Sequence, residues 1–164
     1  FAEAAESFEQ VIRINPNDVL AYNMLGFSYL ALANYAKAIE AHQQAIRIDP
    51  DNFNAYSSLG LVYFTLGNYI KAIEACQQAI HIDPNIVETY SILGKSYVNL
   101  GNQIKAIESF KQAIRINPDY PGVHFALGLT YLMVGDKNSA LNEYKILKEI
   151  DIDKADKLFD FIYK

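Results

Sequence analysis

The apolar residues of the chain recur at intervals of three and four, which is the spacing of one face of an α-helix. Residues 53–86 contain two such helical stripes, separated by Gly67-Asn68 and ended by Asp83-Pro84. The same pair of helices returns every 34 residues. The prolines and one set of glycines mark this period: Pro16, Pro50, Pro84 and Pro118, and Gly26, Gly60, Gly94 and Gly128. A period of this length predicts a stack of helical repeats rather than a domain built around one core.

The period assigns most of the chain to one array over residues 1–164. Four full repeats are expected at residues 19–52, 53–86, 87–120 and 121–154. Residues 1–14 match the second helix of a repeat, with Ala4, Phe8, Val11 and Ile12 as its apolar stripe. We therefore expect residues 1–18 to end a repeat whose first helix precedes Phe1, so that the natural N-terminus is truncated.

The C-terminal end departs from the pattern. Leu147 stands where alanine is expected, and Ile152 stands where proline is expected. Terminal repeats of solenoids must present a soluble outer face. We therefore predict that residues 153–164 form a capping helix, with the following residues on its buried face: Ala155, Leu158, Phe159 and Ile162.

Glycine has two predicted roles in each repeat. A glycine inside a helix costs about 1 kcal/mol relative to alanine, so the repeated Gly26 position predicts a neighbouring helix that approaches closely. Gly67, Gly101 and Gly135 are predicted to end the first helix of a repeat in the left-handed conformation. Ala33 takes this position in the first full repeat, where we expect a weaker or differently shaped stop.

The recurring residues resemble the signature of the tetratricopeptide repeat (TPR) family, with tyrosine in place of the usual first tryptophan. In the repeat at 53–86 they are Tyr56, Leu59, Gly60, Tyr63, Gly67, Tyr69, Ala72, Ala79 and Pro84. The resemblance covers essentially the whole chain. It implies an all-α fold, a right-handed superhelical solenoid of antiparallel helix pairs with first helices lining a concave groove. It also implies that the groove binds peptide segments of other proteins.

The first helices carry apolar residues outside their predicted core face, whereas the outer face of the second helices is polar. Because contiguous exposed apolar surface marks interaction sites, we predict a peptide-binding groove. Its predicted residues are Asn23, Met24, Phe27, Leu30, Asn54, Ser57, Ser58, Leu61, Phe64, Glu88, Ser91, Ile92, Lys95, Asn99, Phe125, Leu129, Leu132 and Met133. The alternative is that these residues pack on neighbouring helices or on the C-terminal tail.

Two modes of binding known in the family do not fit this groove. Gripping a carboxylate requires several charge-assisted donors, and Lys95 is the one lysine of the groove. An asparagine ladder, with one asparagine in each repeat, is replaced here by Met24, Ser58, Ile92 and Ala126. The predicted partner is therefore a protein or peptide with apolar anchor residues, and Glu88 and Lys95 supply limited polar specificity.

Composition excludes several other functions. The net charge is −5 and no basic stripe is visible, which argues against nucleic-acid binding. No apolar run is long enough for membrane insertion. Cys76 is the only cysteine, and the three histidines fall at different places in the repeat, with His42 and His124 at core positions. We therefore predict no cofactor, no metal site and no enzymatic activity.

Two alternatives to a peptide-binding scaffold remain open. The chain could be a homo-oligomerisation module that self-assembles through the unpaired helix at residues 1–14. It could also be the docking arm of a larger enzyme whose catalytic domain lies outside this sequence. The cytoplasm is the default expectation for its localisation.

Overall fold

The computed structural model describes residues 1–164 and contains ten α-helices and no strand. The helices are α1 (Ala2–Ile14), α2 (Val19–Ala31), α3 (Tyr35–Ile48), α4 (Phe53–Thr65), α5 (Tyr69–Ile82), α6 (Val87–Asn99), α7 (Gln103–Ile116), α8 (Pro121–Met133), α9 (Lys137–Ile150) and α10 (Ile152–Tyr163). The predicted all-α fold is thus confirmed. The helices form two compact units, unit 1 (Phe1–Pro84) and unit 2 (Asn85–Lys164).

Short polar side chains start most of the helices. The carboxylate of Asp18 accepts a hydrogen bond from the Ala21 backbone N–H at 2.9 Å, at the first turn of α2. Six further helices are capped in the same way, by Asn34, Asn52, Asn68, Asn102, Asp136 and Asp151. Each cap satisfies a backbone donor that has no partner within the helix. α8 begins instead with Pro121, whose missing N–H costs nothing at this position.

The turn between the two helices of a repeat is left-handed in all four full repeats. Gly67, Gly101 and Gly135 have φ values of 73°, 73° and 78°. Ala33 has a φ of 55° and is the one non-glycine residue with a positive φ. The expectation of a differently shaped turn at Ala33 is therefore wrong, because the alanine adopts the same conformation as the glycines at a steric cost.

In unit 1, consecutive helices pack against each other from α1 to α5. α2 also contacts α4, whereas α3 contacts neither α1 nor α5. The first helices are therefore closer together than the second helices, and the first helices lie on the concave side. The core contains Leu25 and Tyr29 of α2, which pack with Ala5 of α1, Ala38 of α3 and Val62 of α4.

Unit 2 has the same arrangement, since α8 contacts both α6 and α10 while α7 and α9 do not contact each other. α10 packs on α8 and α9 with Ala155, Leu158 and Ile162 buried. Phe159, predicted on the buried face, is 41% exposed and lies between the rings of Tyr144 and Tyr163. Its centroid is 4.5 Å from that of Tyr163, so an aromatic cluster forms on the surface of α10.

The glycines inside the first helices allow the predicted close approach. A Cβ on Gly26 would lie 2.5 Å from the His42 ring, and a Cβ on Gly60 would lie 2.6 Å from Cys76 Sγ. In unit 2, Gly94 is covered by the Phe110 ring. Gly128 differs, because the residue covering it is Leu158 of α10. The capping helix thus fits into the space that a glycine leaves open on α8.

Candidate functional site

The concave side of unit 1 presents an apolar line along α2. Leu20 is 67% exposed and Phe27 is 40% exposed. Met24 is half-buried and Ala31 is exposed. These four residues are separated by four, three and four positions, which places them on one side of the helix, and we refer to them as the α2 seam. The core residues Leu25 and Tyr29 lie on the opposite side of α2, so the seam faces away from the core of unit 1.

The Phe27 ring packs on the buried ring of His42. The two ring planes are nearly perpendicular, at 83°, with centroids 5.5 Å apart. Asn23 Oδ1 lies 3.4 Å from His42 Nδ1, and His42 Nε2 is buried without a hydrogen-bond partner. Burial lowers the pKa of His42 to about 4, so its imidazole is neutral. The Phe27 side chain in the middle of the α2 seam is therefore supported by an uncharged ring.

The next first helix, α4, contributes a more polar surface. Asn54 and Thr65 are exposed, and Ser57, Leu61 and Phe64 are half-buried. The Phe64 ring lies 5.7 Å from the Tyr69 ring of α5, centroid to centroid. The concave face of unit 1 therefore combines an apolar helix with a mixed one, and no acidic or basic side chain lies among these residues.

Four of the predicted groove residues are buried: Asn23, Ser58, Ser91 and Ile92. For these four the groove prediction is wrong, because their side chains turn into the protein. Asn23 shows the reason, since its Nδ2 donates to Asn52 Oδ1 at 3.1 Å and joins α2 to the cap of α4. Leu30 is half-buried and packs against the core of unit 1, so it too serves mainly to hold helices together.

In unit 2, α6 carries the charged residues of the predicted groove. Glu88, Lys95 and Asn99 are exposed. Although Lys95 is accessible, the surrounding protein partly desolvates its ammonium group and lowers its pKa. Asn99 Nδ2 donates to the Lys95 carbonyl at 2.9 Å, so the asparagine side chain lies back along the helix.

The concave residues of α8 are largely covered. Phe125, Leu129 and Leu132 are half-buried and pack against a cluster built from α9 and α10, including Leu147, Leu158 and Ile162. For these three residues the alternative interpretation, packing on the C-terminal tail, describes the structure. Met133 at the end of α8 is 57% exposed.

Unit 1 also contains a cleft of about 410 Å³ formed by α1, α2 and α3. In its wall, the Tyr29 hydroxyl donates to the Glu9 carboxylate and accepts from Lys37 Nζ at 3.3 Å. The hydrogen bond to Glu9 and burial raise the pKa of Tyr29. These contacts tie α2 to the second helices on both sides, and the cleft lies away from the α2 seam.

The single thiol and the histidines do not form a reactive group. Burial raises the pKa of Cys76 to about 12, so the thiol is protonated near neutral pH. His42 and His124 are buried, as predicted for core substitutes, and His81 is exposed. No helix has the length and apolar character required to cross a membrane.

The fold and the concave surface define a class of helical repeat proteins, and comparison with known proteins agrees. Models of the tetratricopeptide repeat match residues 7–40 and 53–86, and a TPR model matches residues 29–67 and 94–135. The chain belongs to the tetratricopeptide repeat family, as its sequence signature predicts. No curated protein matches it at a significant level.

Solved structures with the same fold include three with TM-scores near 0.8. MamA has a TM-score of 0.82 at 28% identity, covering 93% of this chain and 89% of MamA. TTC0263, a thermophilic TPR protein of Thermus thermophilus, has a TM-score of 0.79 at 25% identity, covering 98% and 89%. YrrB has a TM-score of 0.79 at 20% identity, covering 96% and 84%. The chain is therefore an all-α TPR solenoid of the protein-interaction class.

The sequence pattern also places Leu20 and Ala31 on the groove-lining face of α2. Leu20 and Ala31 complete the α2 seam, and the signal for both was present as the four-three-four spacing with Met24 and Phe27. The spacing could not show which side of α2 lies open, because that depends on where α1, α3 and α4 pack.

Proposed function

We propose that this protein is a scaffold that binds a segment of a partner protein on the concave face of its first helices, mainly through apolar side chains. The observation that carries the proposal is the exposure of Leu20 and Phe27 on α2. The outer faces of the second helices, in contrast, expose mainly polar residues such as Lys37, Glu40 and Gln43, although Ile70 and Ile104 are also exposed on second helices. An apolar concave face opposite a polar back favours an interaction site over a simple solvent surface.

The proposed contact residues are the accessible members of the predicted set. They are Met24, Phe27, Asn54, Ser57, Leu61 and Phe64 in unit 1, with Glu88, Lys95, Asn99 and Met133 in unit 2. YrrB is described as having an unusual peptide-binding site, but at 20% identity its likeness supports the fold alone. The partner of this chain is therefore argued from its own residues.

The test uses two aliphatic side chains of similar exposure, Leu20 and Ile70, on different helices. Leu20 is 67% exposed on the concave side, and Ile70 is 63% exposed on the second helix α5. We expect Leu20→Asp to lose partner proteins that the unchanged chain retains in affinity capture, and Ile70→Asp to retain them. Circular dichroism checks that both variants keep their helices. Equal capture by both variants would rule out the concave face.

Self-assembly through α1 is the second candidate, and a few exposed apolar residues favour it. Phe1, Val11 and Ile14 are exposed at α1. However, Phe8 and Ile12 pack against the core of unit 1, so much of the predicted stripe is already covered. Sedimentation velocity distinguishes the two candidates. A concentration-dependent dimer that Val11→Asp abolishes supports self-assembly, and a monomer at all concentrations excludes it.

A further inference from the structure

The cleft of about 410 Å³ in unit 1 lies between two second helices, on the side of α2 opposite the α2 seam. α1 and α3 form its walls and do not contact each other, because α2 separates them as the floor. The floor carries Tyr22, Leu25 and Tyr29, spaced by three and four along α2. The volume is within the range of about 300–1,000 Å³ that ligand pockets have, and the floor is largely apolar.

The two walls of the cleft carry polar side chains. Glu9 comes from α1, and Glu40 and Gln44 come from consecutive turns of α3. Glu9 is half-buried, whereas Glu40 is exposed at the rim. The Tyr29 hydroxyl donates to one oxygen of Glu9, Oε1, so the second oxygen can accept further hydrogen bonds. The cleft therefore offers carboxylate acceptors on both walls.

One ammonium group of the chain already lies in this cleft. Lys37 Nζ is 4.9 Å from the centroid of the Tyr29 ring and donates to the Tyr29 hydroxyl at 3.3 Å. A positive charge over an aromatic face is attracted by the electrons of the ring. Tyr22 presents a second, half-buried ring on the same floor. The chain's own cation thus uses the Tyr29 ring, and the Tyr22 ring is available to another.

The charge of unit 1 favours a cationic ligand over an anionic one. Residues 1–84 contain nine acidic and four basic residues, so unit 1 carries the whole net charge of −5. Within the cleft, Glu9 and Glu40 outnumber Lys37. A surface of one sign raises the local concentration of ligands of the opposite sign.

The next repeat shows that an acid at position 9 is not required for packing. In the 34-residue period Gln43 takes the position of Glu9. The other residues are kept there as Tyr56, Tyr63, Lys71 and Glu74. A glutamine could still accept a hydrogen bond from the Tyr29 hydroxyl, so the tie between α1 and α2 does not need a charge. The negative charge of Glu9 is therefore what distinguishes this cleft.

We propose that the cleft between α1 and α3 binds a guanidinium or primary ammonium group on an apolar stem. The cation lies between Glu9 and Glu40, and the stem rests on Tyr22 and Leu25. The group belongs either to a free small cation or to an arginine or lysine side chain of a partner protein. The cleft is separate from the concave face, so the inference does not depend on the proposed function.

The test titrates the full chain with the N-acetyl amides of arginine, lysine and citrulline while NMR follows the ring signals of the tyrosines. Citrulline has the shape of arginine without its charge. We expect both cations to shift the Tyr22 signals, with half-saturation at about 1–10 mM, and citrulline to leave them in place. The signals of Tyr56 and Tyr63 in the next repeat are internal controls and should stay unchanged.

Charge-removing variants locate the bound cation. Glu9→Gln should weaken arginine binding about tenfold, and Glu40→Gln about threefold, because the exposed carboxylate is more strongly screened by solvent. Glu74→Gln removes the equivalent acid of the next repeat and is the matched control, which should bind arginine unchanged. For each variant, continued protection of the buried Cys76 thiol from labelling shows that unit 1 is folded.

Two further ligands distinguish the sources of the cation. Agmatine carries the arginine side chain without a backbone, and a short linear peptide carries one central arginine among alanines. Tighter binding of the peptide supports a partner protein, and tighter binding of agmatine supports a free cation. Equal shifts with citrulline would overturn the site. Arginine affinity that neither Glu9→Gln nor Glu40→Gln reduces, or no shift up to about 50 mM, would also overturn it.

Discussion

His124 Nδ1 and a carboxylate oxygen of Glu143 lie 2.6 Å apart in the interior of unit 2. The second ring nitrogen, Nε2, is 2.6 Å from the carbonyl oxygen of Pro118. A carboxylate and a carbonyl can only accept hydrogen bonds, so both ring nitrogens must carry a proton to satisfy them. With Glu143 ionised, the geometry therefore favours the imidazolium form of His124.

This pair replaces a different pair found in the other repeats. At the position of His124 the earlier repeats have Tyr22, Tyr56 and Tyr90, and at the position of Glu143 they have Ala41, Ala75 and Ser109. The last repeat therefore has a smaller ring and a longer acidic side chain where the earlier repeats have a tyrosine and a small residue. The last repeat thus holds α8 to α9 with a hydrogen-bonded ion pair.

Unit 2 should lose stability as the pH rises. Burial alone would lower the pKa of His124, but its hydrogen bonds to Glu143 and Pro118, with the charges of Glu143 and Asp119, outweigh burial and raise the pKa. Protonated His124 stabilises unit 2 fully below the unfolded-state histidine pKa of about 6.5. This stabilisation is lost as the pH rises through the higher pKa of His124 in the folded protein. Hydrogen exchange of the α8 and α9 amides, corrected for intrinsic rates, should show less protection at about pH 9 than at about pH 6.

The chain itself supplies the control for this prediction. The double variant His124→Tyr with Glu143→Ala restores the pair present at Tyr22 and Ala41. It should fold and lose the pH dependence of α8 and α9 protection. If the double variant keeps that dependence, the ion pair is not its origin.

The fold could be predicted from the sequence because the same local signals recur in every repeat. The 34-residue period, the caps such as Asn34 and the glycines such as Gly60 act within one or two helices, so local pattern is sufficient. The groove was harder to predict. Both sides of a first helix can look apolar, and only the packing of neighbours decides that Ile92 is buried while Phe27 is open.

The C-terminal end shows the same limit. Leu129 looked like a groove residue by its register with Phe27, yet α10 and α9 cover it. Phe159 looked like a core residue of α10, yet it contacts Tyr144 and Tyr163 at the surface. α10 starts directly at Ile152 after the cap Asp151, without the proline loop of the other repeats. The buried face of α10 is otherwise the predicted one, with Ala155, Leu158 and Ile162 inside.

Unit 1 should respond to pH in the opposite direction. The imidazole of His42 is buried and its pKa is lowered to about 4, so the unfolded chain binds a proton at higher pH than the folded chain. Stability is therefore lost as the pH falls from about 6.5 to about 4, by roughly 3 kcal/mol in total. Urea unfolding monitored through dithiodipyridine labelling of Cys76, the only cysteine, reports this unit.

Phenylalanine is the matched substitution for this test. Phe110 holds the position of His42 in the third full repeat and packs on Gly94 at the same close distance as His42 on Gly26. His42→Phe should therefore fit, remove the unpartnered Nε2 and abolish the acid sensitivity of unit 1. Persistence of the acid transition in this variant would contradict the assignment to His42.

Two glycine-to-alanine variants should destabilise unit 1 for different reasons. In Gly60→Ala the new methyl group would lie 2.6 Å from Cys76 Sγ, and we expect a loss of about 1–3 kcal/mol from overpacking. In Gly67→Ala there is no neighbour within 4 Å, and the loss of about 1–2 kcal/mol comes from the positive φ of 73°. Adding Cys76→Ala should recover stability in the Gly60 variant and not in the Gly67 variant. A coupling near zero in the double-mutant cycle of Gly60 with Cys76 would disprove the steric account.

Ala33 gives the converse prediction, a stabilising glycine. Its φ of 55° lies in the left-handed region, where a Cβ is strained. The three other inter-helix turns of the full repeats have glycine at this position and the same hand. Glycine relieves the strain, but it also increases the conformational entropy of the unfolded chain. This entropy cancels about 0.4–1 kcal/mol of the stability gained. We therefore expect Ala33→Gly to stabilise the protein by up to about 1 kcal/mol, measured as a higher midpoint in urea.

Ala36→Gly, in the first turn of α3, is the control. It should destabilise the protein, because Ala36 is helical and glycine is less favourable than alanine in a helix. Equal losses in both variants would mean that the turn at Ala33 carries no strain.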